Sequence, residues 1–173
     1  NELETVFEAD PYSVRAYNLL EVSDAIEKFR TVEKGAFKIQ LPNMEAEVLA
    51  DEMLALLEEA SAVYQEKYRI TLQTPVLVQM FDDHDEFMVR SVGLPGNVGH
   101  LGICFGRLVT LDSPRARWPG QTHWRQVLWH EFVHVVTLQK TGNRMPRWLS
   151  EGISVYEERE KDGSWGQKME TDF

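Results

Sequence analysis

The sequence predicts an α+β fold. Helical amphipathic patterns and short alternating strand patterns come in mixed order along the chain. No segment repeats and no tract is of low complexity, which argues against a solenoid or a linker-rich chain. Two consecutive helical patterns, at about 122–140 and 147–160, close the chain and hold its richest chemistry.

The elements are justified in order. "DPYSVRAYNLLEVSDAIEKF" (10–29) reads as a helix with Asp10 as N-cap and Pro11 at its first position. "GAFKIQL" (35–41) alternates as a short strand does. Residues 42–68 form a long amphipathic pattern capped by Asn43, with Val48, Leu49, Leu56, Leu57, Val63 and Tyr64 marking the buried side. "TPVLVQMF" (74–81) is a strand, and "DHDEFMVRSVG" (83–93) a short helix ended by Gly93. "LPGNVG" (94–99) is a turn-rich loop. "HLGICFGRLVTLD" (100–112) has strand composition, with Gly102 and Gly106 signalling a bulge or tight hairpin. After the loop 113–121, the first closing helix is capped by Thr122 and ends near Gly142, and Pro146 precedes the second.

Composition narrows the functional classes. At 173 residues with 43% hydrophobic content, the chain is long enough to bury a core and to fold as one domain, with at most a small appendage. It starts at Asn1 without an initiator methionine and is expected to be a piece of a longer protein. Neither a signal peptide nor a run of about 18 apolar residues is present, so a soluble fragment without a membrane span is expected. The single cysteine, Cys104, excludes an internal disulfide framework and a cysteine-based zinc site, and reads as a small core hydrophobe. Net charge is −10, all of it in residues 1–66 (15 acids, 5 bases); residues 67–173 balance at 13 of each. No basic face for nucleic acid appears, and the acidic third reads as solvated helix faces.

"WHEFVHVVTLQK" (129–140) sets the functional question, because two histidines and a glutamate interrupt an apolar helix. At about 100° per residue, His130, His134 and Glu131 fall within about 100° of one another. Val127, Leu128, Trp129, Phe132, Val133, Val135 and Val136 fill most of the remaining circumference. Two imidazoles one turn apart can give one cation a lone pair each, and the glutamate beside them is placed to take a proton from an activated water. That is the HExxH pattern. Two core histidines bonded to backbone are the plain alternative, but a helix walled in by core leaves them short of partners that a metal would supply.

A third ligand is available in "MPRWLSEGISVYEER" (145–159), which opens a helix that can return antiparallel beside the first. Glu151 lies sixteen intervening residues beyond His134 in an apolar neighbourhood, with Gly152 leaving room for close packing. Glu158 returns to within about 20° of Glu151 on the helical wheel and can bond a ligand histidine's second nitrogen. Pairing with Arg159 or solvent is its plain alternative.

"HEFVH" followed by "WLSEGISVYEER" resembles the gluzincin metallopeptidases, especially the aminopeptidase N family. It is more similar still to the peptidase-MA-like domain of bacterial proteins that also carry tetratricopeptide repeats, where "PRWLSEG" phrasing is typical. The match is strong over about 118–159, looser over 75–117 and thin before residue 70. The resemblance implies a zincin-like fold with a thermolysin-like catalytic core, a small mixed sheet and two zinc-carrying helices. It implies one Zn²⁺ per chain held by His130, His134 and Glu151, with Glu131 as general base and Glu158 behind a ligand. Residues 1–34 become a helical lead-in at the edge of a helical-repeat region, and 35–173 a metallopeptidase domain truncated at its C-terminus. This chain departs from the family in four ways. The spacing to Glu151 is about two residues shorter, Ser150 replaces asparagine, "GHLGICFG" replaces the exopeptidase G-A-M-E-N type segment, and no tyrosine or histidine follows the glutamate helix.

The expected function is therefore zinc-dependent hydrolysis of a peptide or protein substrate, with segment 100–112 lining the cleft and pairing with an extended backbone. The oxyanion donor is expected in the missing part or in His100, His123 or Arg107; Tyr156 points about 140° away from Glu151. Arg107, Arg115, Arg117 and Arg125 either pair with the acidic N-terminal third or, for Arg107, bind a substrate carboxylate or the oxyanion. The competing expectation is a zinc-stabilised protein-binding module of a helical-repeat scaffold. A closed site with a fourth protein ligand would mark that case, whereas three ligands and a retained base mark catalysis.

Overall fold

A computed structural model describes residues 5–6, 9–10, 13–96, 99–116 and 123–165. The fold is α+β, with helices packed on both faces of a five-stranded mixed sheet.

Helix α1 (Val14–Glu27) starts where Ser13 accepts a hydrogen bond from Ala16 N at 3.3 Å. The start expected at Asp10 is corrected: Ser13 is the cap, its N donating to the Asp10 carbonyl, and Pro11 lies outside the described residues. Strand β1 (Arg30–Lys34) follows, where the sequence reading continued a helical lead-in. It pairs antiparallel with β2 (Phe37–Leu41) through a turn at Gly35, whose φ of 58° suits glycine. β1 shows charged residues to solvent and half-covers only Val32, as an edge strand does. That polarity hides it in the sequence.

Helix α2 (Asn43–Tyr68) buries Ala46, Ala50, Met53, Leu57, Ala60 and Tyr64, which recur at alternating steps of four and three. Val48 and Val63, expected on the buried side, are 75% and 42% exposed instead. The alanines explain this, because their small side chains bring the α2 backbone against its neighbours and turn the valines outward. The helix is preceded by Pro42 at the cap position rather than capped by Asn43, and no side chain closes that end.

Strand β3 (Val76–Phe81) leads to helix α3 (His84–Val92). Asp83 caps it through Glu86 N, and Gly93 ends it at φ 82°, the end that the sequence anticipates. Strands β4 (Gly102–Cys104) and β5 (Leu108–Asp112) form the hairpin that the two glycines signal, with Gly106 in the turn at φ 75°. Sheet order is β1-β2-β3-β5-β4, with the three central strands parallel and β1 and β4 antiparallel at the edges.

Alternation along the strands sorts the two faces. Ile39, Leu41, Val76, Val78, Met80, Val109 and Leu111 join α2 and helix α4 (Trp124–Thr141) in the main core. Phe81 joins Val22, Phe87, Met88 and Val89 in a smaller cluster with α1 and α3. Helix α4 is preceded by His123, without a side-chain cap; Thr122, the expected cap, lies outside the described residues. It ends at left-handed Gly142, and helix α5 (Arg147–Lys161) returns antiparallel after a short turn. Contacts of 130 with 158, 134 with 150, and 137 with 150 set that direction. Among the described residues, no helix is long and apolar enough to cross a membrane.

Candidate metal centre

The α4–α5 pair positions three ligand atoms together. His130 Nε2 lies 3.0 Å from His134 Nε2 and 3.2 Å from Glu151 Oε2, and His134 Nε2 lies 3.4 Å from the same oxygen. His130, His134 and Glu151 can hold a metal ion. Donors about 2.0–2.1 Å from a tetrahedral zinc stand about 3.3–3.4 Å apart, so the observed triangle fits such an ion with little adjustment. Helical geometry explains the convergence. One turn separates the histidines on α4, and Glu151 sits one turn into α5, facing both.

The outer nitrogens decide what the inner ones present. His130 Nδ1 is bonded to Glu158 Oε1, a carboxylate 5% exposed whose second oxygen accepts from Gln126 Nε2. A carboxylate only accepts, so the His130 proton belongs on Nδ1 and its Nε2 lone pair faces inward. His134 Nδ1 lies 2.7 Å from Ser150 Oγ, which lies 3.2 Å from Thr137 Oγ1, and that hydroxyl donates to the His134 carbonyl at 3.3 Å. Followed outward from the ring, each hydroxyl accepts one bond and donates the next, and the relay ends on a helix carbonyl. Ser154 Oγ supports the same nitrogen at 3.4 Å. Both imidazoles therefore aim lone pairs at each other and at a carboxylate oxygen. A cation relieves that arrangement, either a metal ion between the three atoms or a second proton on His130.

Electrostatics follow the same geometry. Burial pushes the His130 pKa down, but the hydrogen bond it donates to Glu158 and the charges of Glu131, Glu158 and Glu151 raise it on balance. Burial and the neighbouring His130 charge lower the His134 pKa. Glu151 is held below the usual carboxylate range because attraction to His134 and His130 outweighs its partial burial. Arg147 Nε approaches its second oxygen at 3.4 Å.

Glu131 stands outside the converging group. It is 7% exposed, and burial, with repulsion from Glu151 and Glu158 against attraction to His130, pushes its pKa up to about 7. Its neighbour across the sheet edge is Gly102, the first residue of β4. A Cβ added there would meet Glu131 Cγ and Val127 Cγ1 at 2.7 Å and Glu131 Oε1 at 3.1 Å. Gly102 thus lets the β4 backbone lie directly on the Glu131 side chain, a role the sequence reading missed in assigning the glycine to a bulge or turn. Cys104, two residues on, packs half-buried against the core, as expected of a small hydrophobe. Burial and the Glu131 charge push its thiol up to about 12, which removes it as a nucleophile.

The remaining expected residues lie elsewhere. His100 is half-buried at the entry to β4, two residues before Gly102. Arg107 is in the β4–β5 turn, its Nη1 donating to the Thr74 carbonyl at 3.5 Å, and the structure does not bring it to the ligand group. Arg115 faces Glu45 at 3.6 Å and Asp82 at 3.9 Å, and Arg125 pairs with Glu52 at 2.5 Å. These two follow the expectation that arginines clasp the acidic third; Arg117 lies outside the described residues. Tyr156 is 54% exposed with Lys67 over its ring, away from the triad as the helical wheel indicates. Ser150, Ser154 and Gln126 were missed as partners of the histidine network. Ser150 had a signal, since it is the residue that departs from the motif's asparagine. Comparison with protein-family models, curated proteins and solved structures returned no match for this chain.

Proposed function

We propose that this chain is a zinc-dependent peptide hydrolase of gluzincin type, built on a zincin-like core. One observation carries the reading: His130 Nε2, His134 Nε2 and Glu151 Oε2 converge while the outward Nδ1 atoms are tied to Glu158 and Ser150. Among the described residues the group has three members, and a three-residue set keeps a coordination position for water or substrate where a structural zinc site would be closed by a fourth. This favours catalysis over a zinc-stapled binding module. Bound zinc supplies Lewis acidity that lowers the pKa of water towards about 7 and polarises a carbonyl.

The chain's own residues do the rest. Glu131 accepts a proton on its carboxylate from the attacking water and hands it to the departing amine, a task suited to a group whose pKa is raised to about 7. Glu158 and Ser150 keep the two imidazoles in the tautomer and orientation that ligation needs. β4, the terminal strand of the sheet, offers its outer backbone groups to an extended peptide beside Glu131.

The test is hydrolysis of a generic unfolded protein by the zinc-loaded chain, with and without a chelator, beside Glu131→Gln. Chelator-sensitive cleavage that falls about a hundredfold or more in Glu131→Gln, with the metal retained, is the expected result. Cleavage at the wild-type rate by Glu131→Gln would remove the glutamate from the mechanism.

A further inference from the structure

On the face of the sheet away from the triad, a cavity of about 410 Å³ opens between α1 and the sheet, within the usual range of about 300–1,000 Å³ for small-molecule sites. Leu19, Val22, Ile26 and Phe29 form an apolar wall. The opposite wall is a directed hydrogen-bond chain. Arg90 Nε donates to Gln79 Oε1 at 2.9 Å, Gln79 Nε2 to Gln40 Oε1 at 2.8 Å, and Gln40 Nε2 to Thr31 Oγ1 at 3.3 Å. Gln79 lies between Val78 and Met80 of the main core, so its side chain leaves the sheet on the cavity side, where it is 3% exposed.

Two features turn this cavity into a site. The Arg90 Nη groups make no hydrogen bond among the described residues, so N–H donors are what the chain's end offers a ligand. The Arg90 guanidinium has a neutral amide, and no carboxylate within ion-pair distance, as its partner among the described residues, although it is half-buried. Burial lowers its pKa, the mark of a cation that has lost water without gaining an anion. Glu27, the one acid lining the cavity, makes no ion pair with it.

We propose that this pocket binds a small amphipathic carboxylate, its head group taken by the free edge of the Arg90 guanidinium and its alkyl or aryl body lying on Leu19, Val22 and Ile26. A fork of two N–H groups matches the two oxygens of a carboxylate, and the apolar wall rewards a body that inorganic anions lack. The site uses no residue of the metal centre.

Calorimetric titration of the whole chain with octanoate, octanol and inorganic phosphate tests it. Saturable octanoate binding, weaker by about tenfold or more for octanol and for phosphate, is expected. Arg90→Met should lower octanoate affinity by about tenfold or more. Should Arg90→Met fold poorly, Ser23→Trp keeps the test open, because it fills the cavity from α1 with Arg90 intact and should abolish binding without loss of thermal stability. No saturable octanoate binding by the wild type, or unchanged affinity in either folded variant, would overturn the proposal.

Discussion

Gly102 is the residue on which the packing beside Glu131 turns. Its missing side chain is the space that Glu131 Cγ and Val127 Cγ1 occupy, each 2.7 Å from where a Cβ would stand. Both neighbours are held by α4, which is packed into the main core, so neither yields cheaply. Gly102→Ala is therefore expected to destabilise the fold by about 1–3 kcal/mol and to displace the Glu131 carboxylate. Peptide turnover should fall further than stability accounts for, with metal content unchanged. Urea unfolding set beside turnover of the folded fraction checks this; full activity in the variant would mean that β4 does not position Glu131. The alternation of strand patterns makes Gly102 visible in the sequence as an oddity, but its meaning depends on a contact 29 residues along the chain.

At the scale of elements, local chemistry was legible and long-range pairing was not. The helix ends at Gly93 and Gly142 and the hairpin turn at Gly106 follow from residue type and stand where the sequence puts them, whereas the helix starts expected at Asp10 and Asn43 do not. HExxH spacing and the antiparallel return of α5 also follow from sequence, because a helix fixes which residues share a face. β1 and the true buried stripe of α2 did not, since an edge strand of charged residues and a stripe of alanines carry weak hydrophobic signals. Glu157 shows the same limit. Nothing in the sequence pattern singles it out, yet it is 2% exposed, bonded to the Tyr68 hydroxyl and 2.7 Å from Lys67 Nζ on α2. Exposed pairs such as Arg125–Glu52 contribute about 1 kcal/mol at most. Glu157→Ala is expected to cost more, about 1–3 kcal/mol, because it leaves the Tyr68 hydroxyl and a half-covered lysine without their acceptor. Chemical unfolding of Glu157→Ala beside Glu52→Ala compares the two; equal costs would refute the distinction.

For the whole molecule, α2 is the element that the sheet, α4 and α5 lean on, and its C-terminal end gives the chain a pH limit. Burial and the nearby Glu157 charge raise the Tyr64 pKa, and burial and the Glu157 hydrogen bond raise that of Tyr68. Above about pH 10 the unfolded chain loses protons that the native state keeps, so stability that is complete below about pH 10 is lost as pH rises. Denaturant midpoints should decline above about pH 10, and less steeply in Tyr68→Phe; a flat profile would contradict the linkage. The central claim, however, is that two helices fold into a metal site whose ligands are His130, His134 and Glu151. Its most direct test is the metal content of the purified chain by mass spectrometry, beside Glu151→Ala and Glu131→Gln. The account predicts close to one zinc in the wild type and in Glu131→Gln, and loss of zinc from Glu151→Ala. A wild type that binds no zinc, or a Glu151→Ala that keeps full occupancy, would contradict it.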